Sequence, residues 1–183
     1  MKVIAKKVAG WCLSCDAMDK SEFEVVVYGL ELILGTVSKY IILLMIGYLL
    51  NRGIEFLLIL FLIAVFRAFA GGVHGKTSAG CFLYMLLVCA VSAALSELSL
   101  SLKGLFVPFL GYAVCFYAVY KYIPLQSLKN PACDADTIRG KKRGALVVVS
   151  VSVLLFLIMG ADIKWIFLYP LMIEAVTIML ASR

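Results

Sequence analysis

Six apolar runs, at about residues 30–50, 54–70, 81–96, 105–123, 145–159 and 163–180, follow one another with only short polar connections between them. About 20 apolar residues carry a helix across a bilayer. In hydrocarbon a backbone must satisfy its own hydrogen bonds, so such runs have to be helices. The chain is 64% hydrophobic and 15% charged, with a mean hydropathy of +1.06, far from the balance of a soluble domain. The predicted fold is all-α: a polytopic membrane protein of about six transmembrane helices, forming a single transmembrane domain over 1–183. No length is left for a water-soluble domain, so any chemistry must sit within the bundle.

Residues 1–20 place Ile4, Val8, Trp11, Cys15 and Met18 at steps of four and three, with Lys6, Lys7, Ser14 and Lys20 mostly on other faces. This spacing predicts an N-terminal amphipathic helix lying on the membrane surface. Lys2, Lys6 and Lys7 are not followed by an apolar run of signal-peptide type before Asp16 and Asp19, so an uncleaved N-terminus is expected. The first long helix runs from about Ser21, with Glu22 and Glu24 in its first turn, where negative charge suits the helix dipole. Asn51-Arg52-Gly53 makes a tight connection, and Gly71-Gly72 breaks the second span. Between the fourth and fifth spans a loop of about twenty residues carries Lys129, Asp134, Asp136 and the basic run from Arg139 to Arg143. No internal repeat or low-complexity tract is visible.

Lysines and arginines are retained on the cytoplasmic side of a membrane protein. With the N-terminus inside, that face holds Lys2, Lys6, Lys7, Lys20, Arg67, Lys76, Lys121, Lys129, Arg139, Lys141, Lys142, Arg143 and Arg183. The outer face holds Arg52, Lys103 and Lys164. A multi-pass membrane protein with both termini cytoplasmic follows. The net charge of +6 is thereby explained by topology and by contact with anionic lipid, without nucleic acid. Cys12, Cys15, Cys81 and Cys133 fall on the reducing side, where disulfides do not persist. Cys89 and Cys115 lie within apolar runs as small buried hydrophobes.

His74 is the sole histidine, seven residues before Cys81 in a glycine-bearing break between two spans. In a continuous helix the two backbones would stand about 10 Å apart along the axis, too far for a hydrogen bond. The segment must fold back, and Gly71, Gly72, Gly75 and Gly80 permit the backbone that this needs. A thiol at a helix N-terminus beside an imidazole becomes a thiolate nucleophile. The plain alternative is an interfacial histidine and a buried thiol with no joint role. One histidine and one thiolate are too few ligands for a metal, and no metal or other cofactor is expected. Cys12-x-x-Cys15 resembles a redox pair, but no thioredoxin-like strand context exists here, and packing is its expected role.

Arg67 stands one turn before the glycine pair. It either snorkels to the headgroups or points inward, with Glu24 and Glu31 as candidate acidic partners. Lys39 and Glu174 both fall near mid-membrane, where an unpaired charge is expensive, and an ion pair between the first and last spans is expected.

Arg67-Ala-Phe-Ala-Gly71-Gly72-Val-His74, followed by six residues and Cys81, resembles the AgrB accessory gene regulator family of Gram-positive quorum sensing. Tyr28-Gly29-Leu30-Glu31, the number of spans and the basic stretch before the fifth support the resemblance, which covers essentially the whole chain. It implies a cysteine endopeptidase that cleaves the C-terminal tail of a small AgrD-like propeptide and forms an acyl-enzyme thioester. The acyl group then passes to a side chain of the peptide, giving a thiolactone or lactone. On this template Cys81 is the nucleophile, His74 the general base, and Arg67, Gly72 and Ser78 are supporting residues, with the site at the cytoplasmic side. Glu31, Lys141, Lys142 and Arg143 are candidate substrate contacts, suited to an amphipathic leader and an acidic tail. Homodimer formation is a further implication of the resemblance.

Two other readings remain open. A membrane transporter or exporter of a small solute or peptide would use the broken helix and intramembrane charges, and would survive loss of the Cys81 thiol. A membrane adaptor would be indifferent to both His74 and Cys81.

Overall fold

The computed structural model describes residues 20–71, 78–99, 106–123 and 135–182, together with Lys7. The expected surface helix, the connection holding Gly72 and His74, and the loop segment with Lys129 and Cys133 lie outside these residues. Among the described residues all regular structure is helical. Helix α1 spans Lys20–Leu49, α2 Gly53–Ala70, α3 Ser78–Ser99, α4 Phe106–Tyr122 and α5 Ala135–Ile158. The short α6, Ala161–Lys164, runs through a 3-10 turn at Trp165–Phe167 into α7, Tyr169–Ala181.

The helix ends follow from the residues at them. Asn51 adopts φ 57°, a left-handed conformation that asparagine tolerates. Its N–H bonds the Tyr48 carbonyl at 3.0 Å and the Arg52 N–H bonds the Gly47 carbonyl at 2.8 Å, a Schellman closure of α1. At the end of α2, Gly71 takes φ 73° and its N–H bonds the Arg67 carbonyl at 3.0 Å. Both breaks coincide with those predicted at Asn51-Arg52-Gly53 and Gly71-Gly72.

Two expectations are corrected. The basic run Arg139–Arg143, expected in a loop, lies on α5, which begins at Ala135. Lysine and arginine are good helix formers and no proline intervenes. Gly144 completes the stretch because the Phe69 ring of α2 occupies the place a Cβ would need. The final apolar run is not one regular α-helix, since Pro170 has no N–H to donate to Ile166. The chain tightens into the 3-10 turn and restarts α7 with the proline in its first turn.

Helix α2 is central. Phe56, Ile59, Leu60 and Ile63 pack with Leu43 of α1, with Met85, Val88 and Cys89 of α3 and with Ile166. Leu62, Phe66 and Ala70 join a second cluster with α4, α5 and α7, which holds Tyr112, Cys115, Val149, Phe156, Trp165 and Leu171. Helix α1 is attached mainly to α2. Much of the outer surface is apolar: Val25, Ile33, Ile41, Met45, Phe61, Leu83, Leu87, Phe109 and Leu154 are all exposed. So large an apolar exterior suits hydrocarbon and not water. Phe23–Leu49, Gly53–Ala70 and Ser78–Leu98 are each long and apolar enough to cross a membrane, and Trp165–Ala181 is a shorter apolar helix.

Candidate functional site

Cys81 lies in the first turn of α3, half-buried, with its thiol free. Ser78 opens the helix and is exposed. His74 and Gly72 fall outside the described residues.

The principal polar feature near Cys81 is built on Glu174. Its side chain is 1% exposed, and it receives both arms of Arg67: Nη2 donates to Oε1 at 2.7 Å and Nε to Oε2 at 3.0 Å. The Tyr84 hydroxyl donates to Oε1 at 3.2 Å and lies 3.1 Å from Oγ1 of Thr177. Thr177 in turn donates to the Glu174 carbonyl at 2.8 Å. The Arg67 guanidinium also sits over the Tyr84 ring, 5.2 Å from its centroid. Tyr40 of α1 stands within electrostatic reach of Arg67, Glu174, Cys89 and Cys81. Tyr84 follows Cys81 by three residues, so the two are neighbours on one face of α3. A fork-to-fork ion pair at this burial satisfies a charge that would otherwise be very costly in hydrocarbon.

This geometry reassigns two predicted pairings. Arg67 points inward, but its partner is Glu174 of α7, not Glu24 or Glu31 of α1. The ion pair predicted between Lys39 and Glu174 is absent, because both Glu174 oxygens are taken by Arg67. Glu31 is half-buried on α1. Of the basic run, Lys142 donates to the Tyr120 carbonyl and lies over the Tyr120 ring, 4.5 Å from its centroid, which ties α5 to α4. Arg143 is exposed. Cys89 and Cys115 are fully buried. Among the described residues no three His, Cys, Asp or Glu side chains gather to hold a metal ion.

Tyr84 and Thr177 escaped the sequence reading. An aromatic in an apolar helix looks like core, and the available signals were only its spacing from Cys81 and the three-residue step from Glu174 to Thr177.

Apolar outer helices around a charged, hydrogen-bonded interior define a helical membrane protein with a polar centre beside a cysteine. Comparison with known proteins then supplies the family. The model of accessory gene regulator B, AgrB, matches residues 3–180, and the chain belongs to that family. It is 24% identical over 183 residues to AgrB-like protein 2 of Clostridium perfringens (strain 13 / Type A), covering 96% of this chain and 84% of that one. It is 23% identical over 166 residues to an AgrB-like protein of Clostridium perfringens (strain SM101 / Type A), covering 86% and 78% respectively. No solved structure matches.

Proposed function

We propose that this protein is a membrane-embedded cysteine endopeptidase that matures an AgrD-type propeptide. Membership of the AgrB family supports a part in accessory gene regulator autoinducer processing. The observation that carries the finer reading is Cys81, half-buried in the first turn of α3 and one turn from the Arg67–Glu174–Tyr84 cluster. His74 takes the Cys81 proton, and the thiolate attacks the scissile carbonyl. The C–N bond breaks, the tail leaves as an amine carrying the proton returned by the imidazolium, and a thioester remains on Cys81. A thiol or hydroxyl within the bound peptide then displaces Cys81 and closes a thiolactone or lactone. No water is consumed, which is why a recessed site favours closure over hydrolysis.

Gly72 and Ser78 support the bend that brings imidazole to thiol. Glu31, Lys141, Lys142 and Arg143 contact the propeptide, the basic residues suiting its acidic tail. The site faces the cytoplasm, with both termini on that side, and the protein works among lipid as a homodimer.

The test is co-expression with an AgrD-type propeptide. Cys81→Ser and His74→Ala should each abolish tail removal, and an acyl adduct should be found on Cys81 by mass spectrometry. Cleavage surviving Cys81→Ser would remove Cys81 as the nucleophile, and an adduct on Cys133 would then move it there; no tail removal even by the wild type, with transport that persists in Cys81→Ser, would favour a transporter.

A further inference from the structure

A groove of about 530 Å³ opens between the beginning of α4 and the last turns of α5. Phe69 of α2 lies against Gly144 near the start of α5, so those last turns fall at the end of the bundle away from Cys81. Pro108, Phe109, Ala113 and Phe116 of α4 wall one side, and Val153 and Leu157 of α5 the other. The Tyr112 and Phe156 rings, edge to face with centroids 5.8 Å apart, complete the lining. The Tyr112 hydroxyl, the sole polar side-chain atom among these residues, is engaged by Ser152. Phe109, Ala113, Phe116 and Leu157 are exposed, which leaves the groove open to the exterior. Lys164 adjoins it through Phe156: Nζ lies 5.8 Å from the centroid of that ring and 5.7 Å from that of Trp165. Two ring faces attract an ammonium without neutralising it. Among the described residues no carboxylate pairs with Lys164.

We infer that this groove is a phospholipid site, in which one acyl chain lies between α4 and α5 and the phosphate meets Lys164. From Pro108 to Phe116 the slot runs about 12 Å along α4, at 1.5 Å per residue. A polar solute in it would find no hydrogen-bond partner and would be penalised for leaving water, whereas a hydrocarbon chain needs none. The lone cation beside an apolar slot selects the other half of the ligand: a headgroup with net negative charge. A second copy of this chain fits less well, since an isologous contact on this face would bring two Lys164 ammoniums to one patch. The groove shares no residue with the Cys81 site, so the inference stands apart from the peptidase reading. Its lining reaches the Ser152 junction through Tyr112, and Ser152 holds the Phe167 carbonyl. A lipid bound there would brace the corner where α4, α5 and the 3-10 turn meet.

The experiment uses the full chain in phosphatidylcholine vesicles that carry a trace of phosphatidylglycerol or of phosphatidylcholine with a photoactivatable diazirine on its acyl chain. After illumination the labelled positions are mapped by mass spectrometry, with the peptide around exposed Phe61 of α2 as the reference for lipid that merely surrounds the protein. Label is expected over 108–116 and 153–157, with phosphatidylglycerol exceeding phosphatidylcholine there by roughly fivefold, the contribution of one lysine to an anionic headgroup. The Phe61 peptide should show no such preference. Lys164→Gln should remove the excess and Lys164→Arg keep it, while Ala113→Trp, which fills the slot, should lower labelling by both lipids. Equal labelling of the groove by the two lipids in the wild type would mean surrounding lipid only and would overturn the inference. A preference that Lys164→Gln leaves intact would overturn it as well. So would groove peptides that neither lipid labels, the result expected if a second copy covers this face. The wild-type comparison requires no variant to fold.

Discussion

Gly47 faces Phe56 so closely that a Cβ at Gly47 would stand 2.6 Å from Cγ of the ring and 2.7 Å from its Cβ. This approach lets α1 pack on α2, the helix to which it is chiefly attached. Phe56 is 1% exposed and has no room to swing aside. Alanine in a helix gains about 1 kcal/mol over glycine, but overpacking a fixed ring costs about 1–3 kcal/mol. Gly47→Ala should therefore lower the melting temperature in detergent. Gly35→Ala on the same helix meets nothing within 4 Å and should raise it. Equal shifts at the two glycines would contradict this packing.

Breaking a buried ion pair from one side leaves a charge without a partner, at a cost of about 3–5 kcal/mol. Arg67→Gln and Glu174→Gln should each destabilise by that order, whereas the double variant should lose less than the sum, with a coupling of about 1 kcal/mol or more. Lys39→Met, by contrast, should stay within about 0.5 kcal/mol of wild type, because Glu174 is already committed to Arg67. Resistance to SDS titration measures all four. Additive losses at 67 and 174 would argue that the residues do not meet.

Ser152 joins three elements at once. Its Oγ donates to the Phe167 carbonyl at 2.6 Å, and the Tyr112 hydroxyl lies 3.2 Å from that oxygen and 3.1 Å from the Ser152 carbonyl. Interhelical hydrogen bonds within membranes contribute about 0.6 kcal/mol on average and up to about 1.7. Ser152→Ala removes one bond outright and weakens another, so it should cost about 1–2 kcal/mol. Tyr112→Phe, which spares the bond to Phe167, should cost less. Thermal unfolding in one detergent ranks them, and the reverse order would refute the network.

Cys81 is half-buried, whereas Cys89 and Cys115 are fully buried within the two apolar clusters. A polar maleimide applied to native membranes should label Cys81 and leave Cys89 and Cys115 unmodified until SDS is added. Peptide mapping reads each site separately. Labelling of Cys89 under native conditions would show that α3 is rotated relative to the packing described.

The helices and the breaks at Asn51 and Gly71 were legible because local chemistry decides them: apolar runs in lipid must be helical, and glycine or asparagine ends them. The partner of Arg67 was not legible. Glu24 and Glu31 attract attention by sharing the neighbouring helix, yet the pairing is settled by how α7 packs against α2 and α3, across 107 positions of sequence. Lys39 and Glu174 share a predicted depth, and depth fixes neither azimuth nor neighbour. The basic run reads as a loop because charge suggests exposure, although a helix can extend beyond hydrocarbon while remaining a helix. Cys81 stood out by its setting, and the hydroxyl of Tyr84, hidden within an aromatic residue, did not.

The distance in sequence between Arg67 and Glu174 also bears on how the chain is made. Ribosomes deliver α2 long before α7, so the guanidinium enters the bilayer region with its counter-ion still unsynthesised. Until the final helix arrives, that arginine must be hydrated, snorkelled or sheltered by the insertion machinery. A nascent chain stopped short of position 174 would carry an orphan cation in its centre, and should be recognised and degraded.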